Sequence, residues 1–316
     1  MNKLWLKRKP EIFQGENCLK KNLNYFEGWY FKISGNKNSI AFIPGININD
    51  KFKKAFIQVI TDQSSYFVDY NISDFRFMHN PFYIKIGNNF FSKEGMHIEI
   101  YETSQNIEIY GNIKYSDSKN IITNIFKPNI MGPFSYVPAM ECNHAILSMQ
   151  NCVNGSIEIN NKKIRFNDNK GYIEKDWGYS FPKSYIWCQG NCFKRTKDAS
   201  FMLSVADIPF QIMHFKGLIC ALIIDNKEYK FTTYNNAKIA KYDIGENYLD
   251  IILKKGKTSL RIKSEYDKGL KLSAPVKGKM DRKVFENINS IISVTLKRNE
   301  IVLFDDISTN CGLEIS

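Results

Sequence analysis

The stretch Gly171-Tyr-Ile-Glu-Lys-Asp-Trp-Gly178, continued by Tyr179-Ser-Phe-Pro-Lys-Ser184 and Tyr185-Ile-Trp-Cys-Gln-Gly-Asn191, decides how the chain is read. It sets two carboxyl groups, Glu174 and Asp176, among aromatic side chains. It then turns through Gly178 and Pro182 into a strand-like run. Alternation along that run puts Tyr185, Trp187 and Gln189 on one face, with Ile186 and Cys188 on the other. A carboxyl beside Trp177 and Trp187 loses contact with water, which favours its neutral form and makes it a proton donor near neutral pH. A turn whose acids cap backbone amides uses the same residue types, so the stretch by itself leaves both readings open.

Strand patterns continue on both sides of it. Tyr25–Ile33 is rich in aromatics, and Ser39–Ile48, Ala55–Thr61 and Tyr66–Tyr70 are short β-branched or aromatic runs. Met96–Glu102 and Asn106–Tyr115 alternate apolar and polar residues, as half-buried antiparallel strands do. Downstream, Phe201–Asp207, Lys216–Ile224, Tyr229–Tyr234, Tyr248–Lys254, Ser259–Tyr266, Ile291–Lys297 and Ile301–Asp306 repeat the pattern. Asn154-Gly155 reads as a hairpin turn, and Gly35-Asn36 and Asp225-Asn226 as turns. Residues 1–24 read as an irregular basic lead-in. The one helix expected is Arg282–Asn289. Strands at this spacing predict an all-β protein of sandwiches or barrels. The Trp-centred segments Gly28–Lys32 and Ile186–Gly190 echo each other, which points to two tandem β-modules, residues 1–180 and 181–316.

Of the 316 residues, 43% are hydrophobic and 14% aromatic, enough for packed cores and too apolar for disorder. The longest apolar run, Leu218–Ile224, is far short of the ~20 residues that cross a bilayer as a helix. The basic opening Met1–Lys9 has no apolar signal core, and the expectation is a cytoplasmic protein. Net charge is +12, divided as +5 over residues 1–180 and +7 over residues 181–316. That even spread is unlike a nucleic-acid binder, which concentrates its charge on a module. It fits at most a weak peripheral attraction to anionic membrane surface. The seven cysteines are odd in number and read as free thiols. Cys188 and Cys192 find no second pair at zinc spacing, and the histidines are scattered, so no metal is expected.

Several motifs together resemble the tocopherol cyclase family, in order along nearly the whole chain. They are Phe-Glu-Gly-Trp-Tyr-Phe-Lys at Phe26–Lys32, Gly-Pro-Phe at Gly132–Phe134, and Glu-Cys-Asn-His at Glu141–His144. The quoted stretch follows, with Phe181-Pro182, Trp187, Gln189 and Asn191. Ala-Pro-x-x-Gly-x-Met at Ala274–Met280 and Gly-Leu-Glu at Gly312–Glu314 complete the set. The resemblance implies two lipocalin-like (calycin-type) β-domains, like those of carotenoid hydratases and some pericyclic cyclases. It also implies ring closure on a prenylated hydroquinone, a hydrophobic small molecule, without a cofactor.

Such chemistry needs an acid to protonate an alkene, a dry aromatic pocket for the tertiary cation, and polar groups to hold the attacking hydroxyl. Resemblance and chemistry together nominate Asp176 as the acid and Glu174 as its runner-up. Trp29, Tyr172, Trp177 and Trp187 would form the lining. Glu141, Asn143 and His144 would hold the head group, with His144 relaying the proton, and Gln189 and Asn191 would hold substrate oxygens. Trp29 suits a barrel core better than a ligand wall, since a Trp near the first strand often plugs the closed end of a lipocalin-like barrel; Glu27 suits pairing with a buried cation, and Glu314 fixing the C-terminus. A carrier of a lipophilic molecule would share the cavity and keep its acids on the rim, and a hydratase would share the acid.

Overall fold

The computed structural model describes residues 9–35, 38–138, 140–210 and 213–316, leaving the opening Met1–Arg8 and the Asn36 half of the Gly35-Asn36 turn outside the described residues. The fold is nearly all β. One sheet contains β1 (Tyr25–Ser34), β2 (Ser39–Ile48), β3 (Lys53–Thr61), β4 (Ser65–Asn71), β5 (Phe75–His79), β6 (Phe82–Ile86), β7 (Asn89–Ser92), β8 (Gly95–Glu102), β9 (Ile107–Lys119), β10 (Cys142–Ile159) and β11 (Lys162–Gly178). Its strands lie in the order β4-β3-β2-β1-β11-β10-β9-β8-β7-β6-β5. The edge strands β4 and β5 are joined by a single 3₁₀ turn, Ile72–Asp74, so the sheet curls nearly shut.

The second sheet contains β12 (Tyr185–Gly190), β13 (Cys192–Phe193), β14 (Ala199–Phe210), β15 (Met213–Ile224), β16 (Lys227–Thr232), β17 (Lys238–Ile244), β18 (Tyr248–Lys255), β19 (Thr258–Glu265), β20 (Leu270–Val276), β21 (Lys279–Arg298) and β22 (Ile301–Ile315). The path runs β16-β15-β14-β12-β22-β21-β19-β18-β17, with β13 on β22 and β20 on β21. Here too the edges, β16 and β17, are joined by one 3₁₀ turn, Thr233–Asn235. The chain changes sheet between Gly178 and Tyr185.

Strand parity explains where the cores form. In β1 the odd positions Trp29, Phe31 and Ile33 enter the core wrapped by the first sheet, while Tyr30 belongs to a separate core between the sheets. In β11 the same parity sends Ile173 inward and Tyr172 to the core between the sheets. The alternation expected for β12 holds: Ile186 and Cys188 enter the second sheet's core, and Tyr185 and Trp187 face the first sheet. Both faces of β1 and β12 are buried, so apolar and aromatic residues dominate them, and Glu27, Lys32, Ser34 and Gln189 are buried polar exceptions.

Three expectations are corrected. Arg282–Asn289 is not a helix; it lies within β21, which pairs with β19, β20 and β22. Val284 and Ile288, four apart, suit a helix face as well as a strand face, and the buried alternation of Val284, Glu286, Ile288 and Ser290 follows period two. Asn154-Gly155 is not a turn, because β10 runs straight through it with a register shift. A Cβ on Gly155 would stand 2.1 Å from the Asn112 carbonyl oxygen, so this glycine permits close strand approach. The turn is at Asn160 and Asn161, both at positive φ (47° and 66°). The lead-in contains one short helix, α1 (Glu16–Lys21). All seven cysteines are free.

Candidate active site between the two sheets

A partly open cavity of about 200 Å³ lies between the two sheets, lined by residues of both. Its walls are largely apolar: Phe26, Ile43 and Phe56 from the first sheet, Ile208, Leu218 and Val284 from the second, and Met131 and Phe134 from the segment between β9 and β10. A few polar groups interrupt them.

One polar group is a triad on β10 and β11. His144 and Asp176 are register partners on these neighbouring strands. Imidazole Nδ1 lies 2.9 Å from Asp176 Oδ1, and Nε2 lies 3.4 Å from Glu174 Oε2. Glu174 Oε2 also accepts the Tyr172 hydroxyl at 2.5 Å and the Trp187 indole N–H at 3.0 Å. Burial raises the Glu174 carboxyl to about 7; the His144 charge and the two donors oppose this, and the Asp176 charge adds to it. Burial disfavours the His144 cation, yet the charges of Asp176 and Glu174 outweigh it and raise the imidazole to about 9. Lifted by burial and set beside the His144 imidazole, the Glu174 carboxyl titrates close to neutral pH. That arrangement holds one transferable proton near neutral pH.

These three residues are also a group whose donor atoms, all within 4.8 Å of one another, match a metal-ligand set by type. As placed, the two carboxyls meet opposite nitrogens of one imidazole ring, so both ring nitrogens face a carboxyl oxygen.

The structure brings four of the expected residues to the cavity wall: His144, Glu174, Asp176 and Trp187. Tyr172 stands behind Glu174, fully buried, as its hydrogen-bond donor. The others lie elsewhere. Trp29 is in the first sheet's core, donating to the Glu11 carbonyl at 2.8 Å and stacked on Phe82. Trp177 shares that parity and packs against the same core, its ring over the Lys175 ammonium. The Asn143 amide donates to the Trp177 carbonyl at 3.3 Å. The Glu141 carbonyl accepts the amides of Tyr179 and Ser180, holding the chain as it leaves β11. Asn191 ties the sheets together by donating to the Gly171 carbonyl at 2.9 Å. Gln189, fully buried, is one step along the strand face from Trp187 and away from the cavity wall.

Sequence reading missed Glu286, Glu314, Tyr30 and Cys142 as lining residues. Glu286 was hidden by the helix reading. Glu314 stands in the quoted Gly312–Glu314 motif, and its neighbour carries the signal: a Cβ on Gly312 would lie 2.6 Å from the Trp187 ring, so that glycine makes room for the indole.

Comparison with known proteins agrees with this architecture. A putative AttH from Nitrosomonas europaea superposes with a TM-score of 0.52 at 10% identity over 93% of each chain. Kievitone hydratase from Nectria haematococca does so with a TM-score of 0.50 at 12% identity, over 96% of this chain and 93% of its own. CghA with Sch210972 gives a TM-score of 0.57 at 7% identity, over 93% of this chain and 88% of its own. At these identities the likeness concerns the fold. No curated protein matches the sequence. The tocopherol cyclase-like family model matches residues 101–316, which include the triad, the quoted stretch and both closing motifs, and the chain belongs to that family.

Proposed function

We propose that this protein is an acid catalyst that protonates an alkene in a hydrophobic, prenylated substrate and lets an oxygen nucleophile capture the tertiary cation. Intramolecular capture by a hydroxyl closes a ring; capture by water gives a hydratase, the reaction in the name of one structural relative. Proton addition and C–O bond formation involve no net oxidation, so the chemistry asks for no redox cofactor.

The observation that carries this reading is the His144 ring held between Glu174 and Asp176 at the wall of an apolar chamber. In that arrangement Glu174 is the proton donor, while Asp176 orients His144 and keeps it cationic. The roles of the two carboxyls are thereby exchanged relative to the sequence-based assignment. Removing the proton donor in such reactions costs on the order of 10²–10⁴ in rate. The Trp187 and Tyr30 rings, edge to face at 5.4 Å, supply the aromatic faces that suit a transient cation.

The test uses 2-geranylhydroquinone in deuterated water. The expected product has one deuterium on carbon and a new ring or hydroxyl, and Glu174→Gln abolishes its formation. Tight binding with recovery of unchanged, undeuterated ligand would instead identify a carrier.

A further inference from the structure

The cavity has a second pair of buried acids that the proton-donating triad does not use. Glu286 on β21 and Glu314 on β22 are direct register partners and both line the cavity. Directly opposed residues in an antiparallel pair project to the same side, with Cβ atoms ~5 Å apart. Both are buried, at 2% and 8% exposure. Each has its own phenol. The Tyr30 hydroxyl, reaching from the first sheet, donates to Glu286 Oε1 at 2.5 Å, and the Tyr185 hydroxyl donates to Glu314 Oε1.

The pair is linked to the triad by geometry. Tyr30 is the register partner of Glu174, and Trp187 is the register partner of Glu314. Trp187 donates to Glu174 and Tyr30 donates to Glu286. The two acidic groups therefore flank a shared wall of Tyr30 and Trp187. We propose that Glu286 and Glu314 form a proton-sharing dyad, a second pole of the same cavity, which anchors the attacking hydroxyl of the substrate and accepts its proton.

Two carboxyls this close in an apolar chamber do not both ionise. Burial raises Glu286 to about 7, opposed by Tyr30 and the Lys32 cation. Burial raises Glu314 to about 8, and the charges of Glu286, Asp176 and Glu174 reinforce this while Tyr185 opposes it. Near neutral pH the dyad thus holds a proton together with room to accept another, which suits it to grip a hydroxyl as donor and acceptor at once.

This deepens the proposed function and rests on it. The balance is simple. Glu174 gives a proton to the alkene carbon. The oxygen's electron pair forms the C–O bond, its O–H bond breaks, and that proton passes to the dyad. Exchange with solvent resets both poles. The substrate class is accordingly a hydrophobe with an alkene and a hydroxyl, such as a phenol or enol, set apart by a few apolar bonds.

The experiment compares 2-geranylhydroquinone with its dimethyl ether, which keeps the alkene and has no hydroxyl proton to give. In deuterated water the wild type is expected to close the ring on the first and wash deuterium into the alkene of the second. Glu286→Gln/Glu314→Gln is expected to retain wash-in and to lose ring closure by about 100-fold or more. The single variants Glu286→Gln and Glu314→Gln give the same readout if the double variant does not fold. Ring closure at the wild-type rate in these variants would overturn the dyad, as would equal loss of wash-in and closure. Wild-type protein that does neither reaction overturns the proposed function, and the dyad's role with it. Glu174→Gln, expected to lose both reactions, marks the first pole separately.

Discussion

The charges of Asp176 and Glu174 favour the protonated form of His144 against burial, and each side chain can be replaced in turn. Asp176 is the stronger of its two charge supports against burial. In Asp176→Asn the imidazole is expected to titrate well below about 9, followed by the pH dependence of its ring proton shifts. An unchanged titration would mean that Glu174 alone holds the cation. A second residue-scale prediction concerns β11's other face. Lys175 is fully buried, 2.5 Å from Glu27, with its ammonium also donating to the Pro10 and Ile12 carbonyls. Lys175→Met removes one member of a buried pair and is expected to cost about 3–5 kcal/mol. Adding Glu27→Gln should return much of that loss, since the uncompensated charge is then gone. Denaturant titration of the two variants decides it; equal stability would show that Glu27 finds another partner.

At the scale of elements, the β20–β21 hairpin of the second sheet leans on the first sheet and carries part of the cavity wall. Gln58 on β3 makes reciprocal bonds with Ser273 on β20, its amide donating to the carbonyl at 2.9 Å and its oxygen accepting the N–H at 2.8 Å. The turn is seated by Gly278, whose N–H donates to the Tyr179 carbonyl at 2.8 Å. Gly278 has φ +75°, and a Cβ there would stand 1.8 Å from the Ile48 carbonyl oxygen. Gly278→Ala is therefore expected to displace the hairpin and with it Leu272, Val284 and Glu286, lowering the melting temperature by several degrees. Gln58→Leu, which orphans two backbone groups, is expected to cost ~1–3 kcal/mol. Calorimetry of both variants checks this, and an unchanged transition in Gly278→Ala would mean that the hairpin is not tightly docked.

Across the whole molecule, the buried acids and His144 should leave a mark on stability against pH. Glu174, Glu286 and Glu314 rise from 4.5 to about 7, 7 and 8, and His144 from 6.5 to about 9. A raised value means that the folded state keeps protons the unfolded chain has released. Their stabilisation is complete below the unfolded values and is lost as pH rises through the folded ones. Asp250, held down by Arg261 and Lys241, acts oppositely: its contribution is present above 3.8 and lost as pH falls. The net charge of +12 also favours higher pH by easing like-charge repulsion. The cleanest reading is thus a difference. Between about pH 4.5 and pH 8, wild type should lose more stability than Glu286→Gln/Glu314→Gln, measured by melting temperature. Parallel curves would show that these acids ionise as freely folded as unfolded.

The sequence by itself determined the all-β class, the strand at Tyr25–Ile33, the alternation of Tyr185–Gln189, and the family, because period-two burial and short motifs are local properties. It also nominated Glu174, Asp176 and His144 for one shared cavity, which all three line, and anticipated a buried cation for Glu27. Tertiary structure alone decided which aromatics face the cavity: Trp29 and Trp177 differ from Tyr30 and Asp176 by one step in parity, and a step of one reverses the face. It alone made β21 a strand, since Val284 and Ile288 satisfy both periods until neighbouring strands supply hydrogen-bond partners. And it alone joined Glu286, Glu314 and Tyr30, residues up to 284 positions apart in a chain of 316, because the burial that raises a carboxyl's pKa comes from both sheets at once.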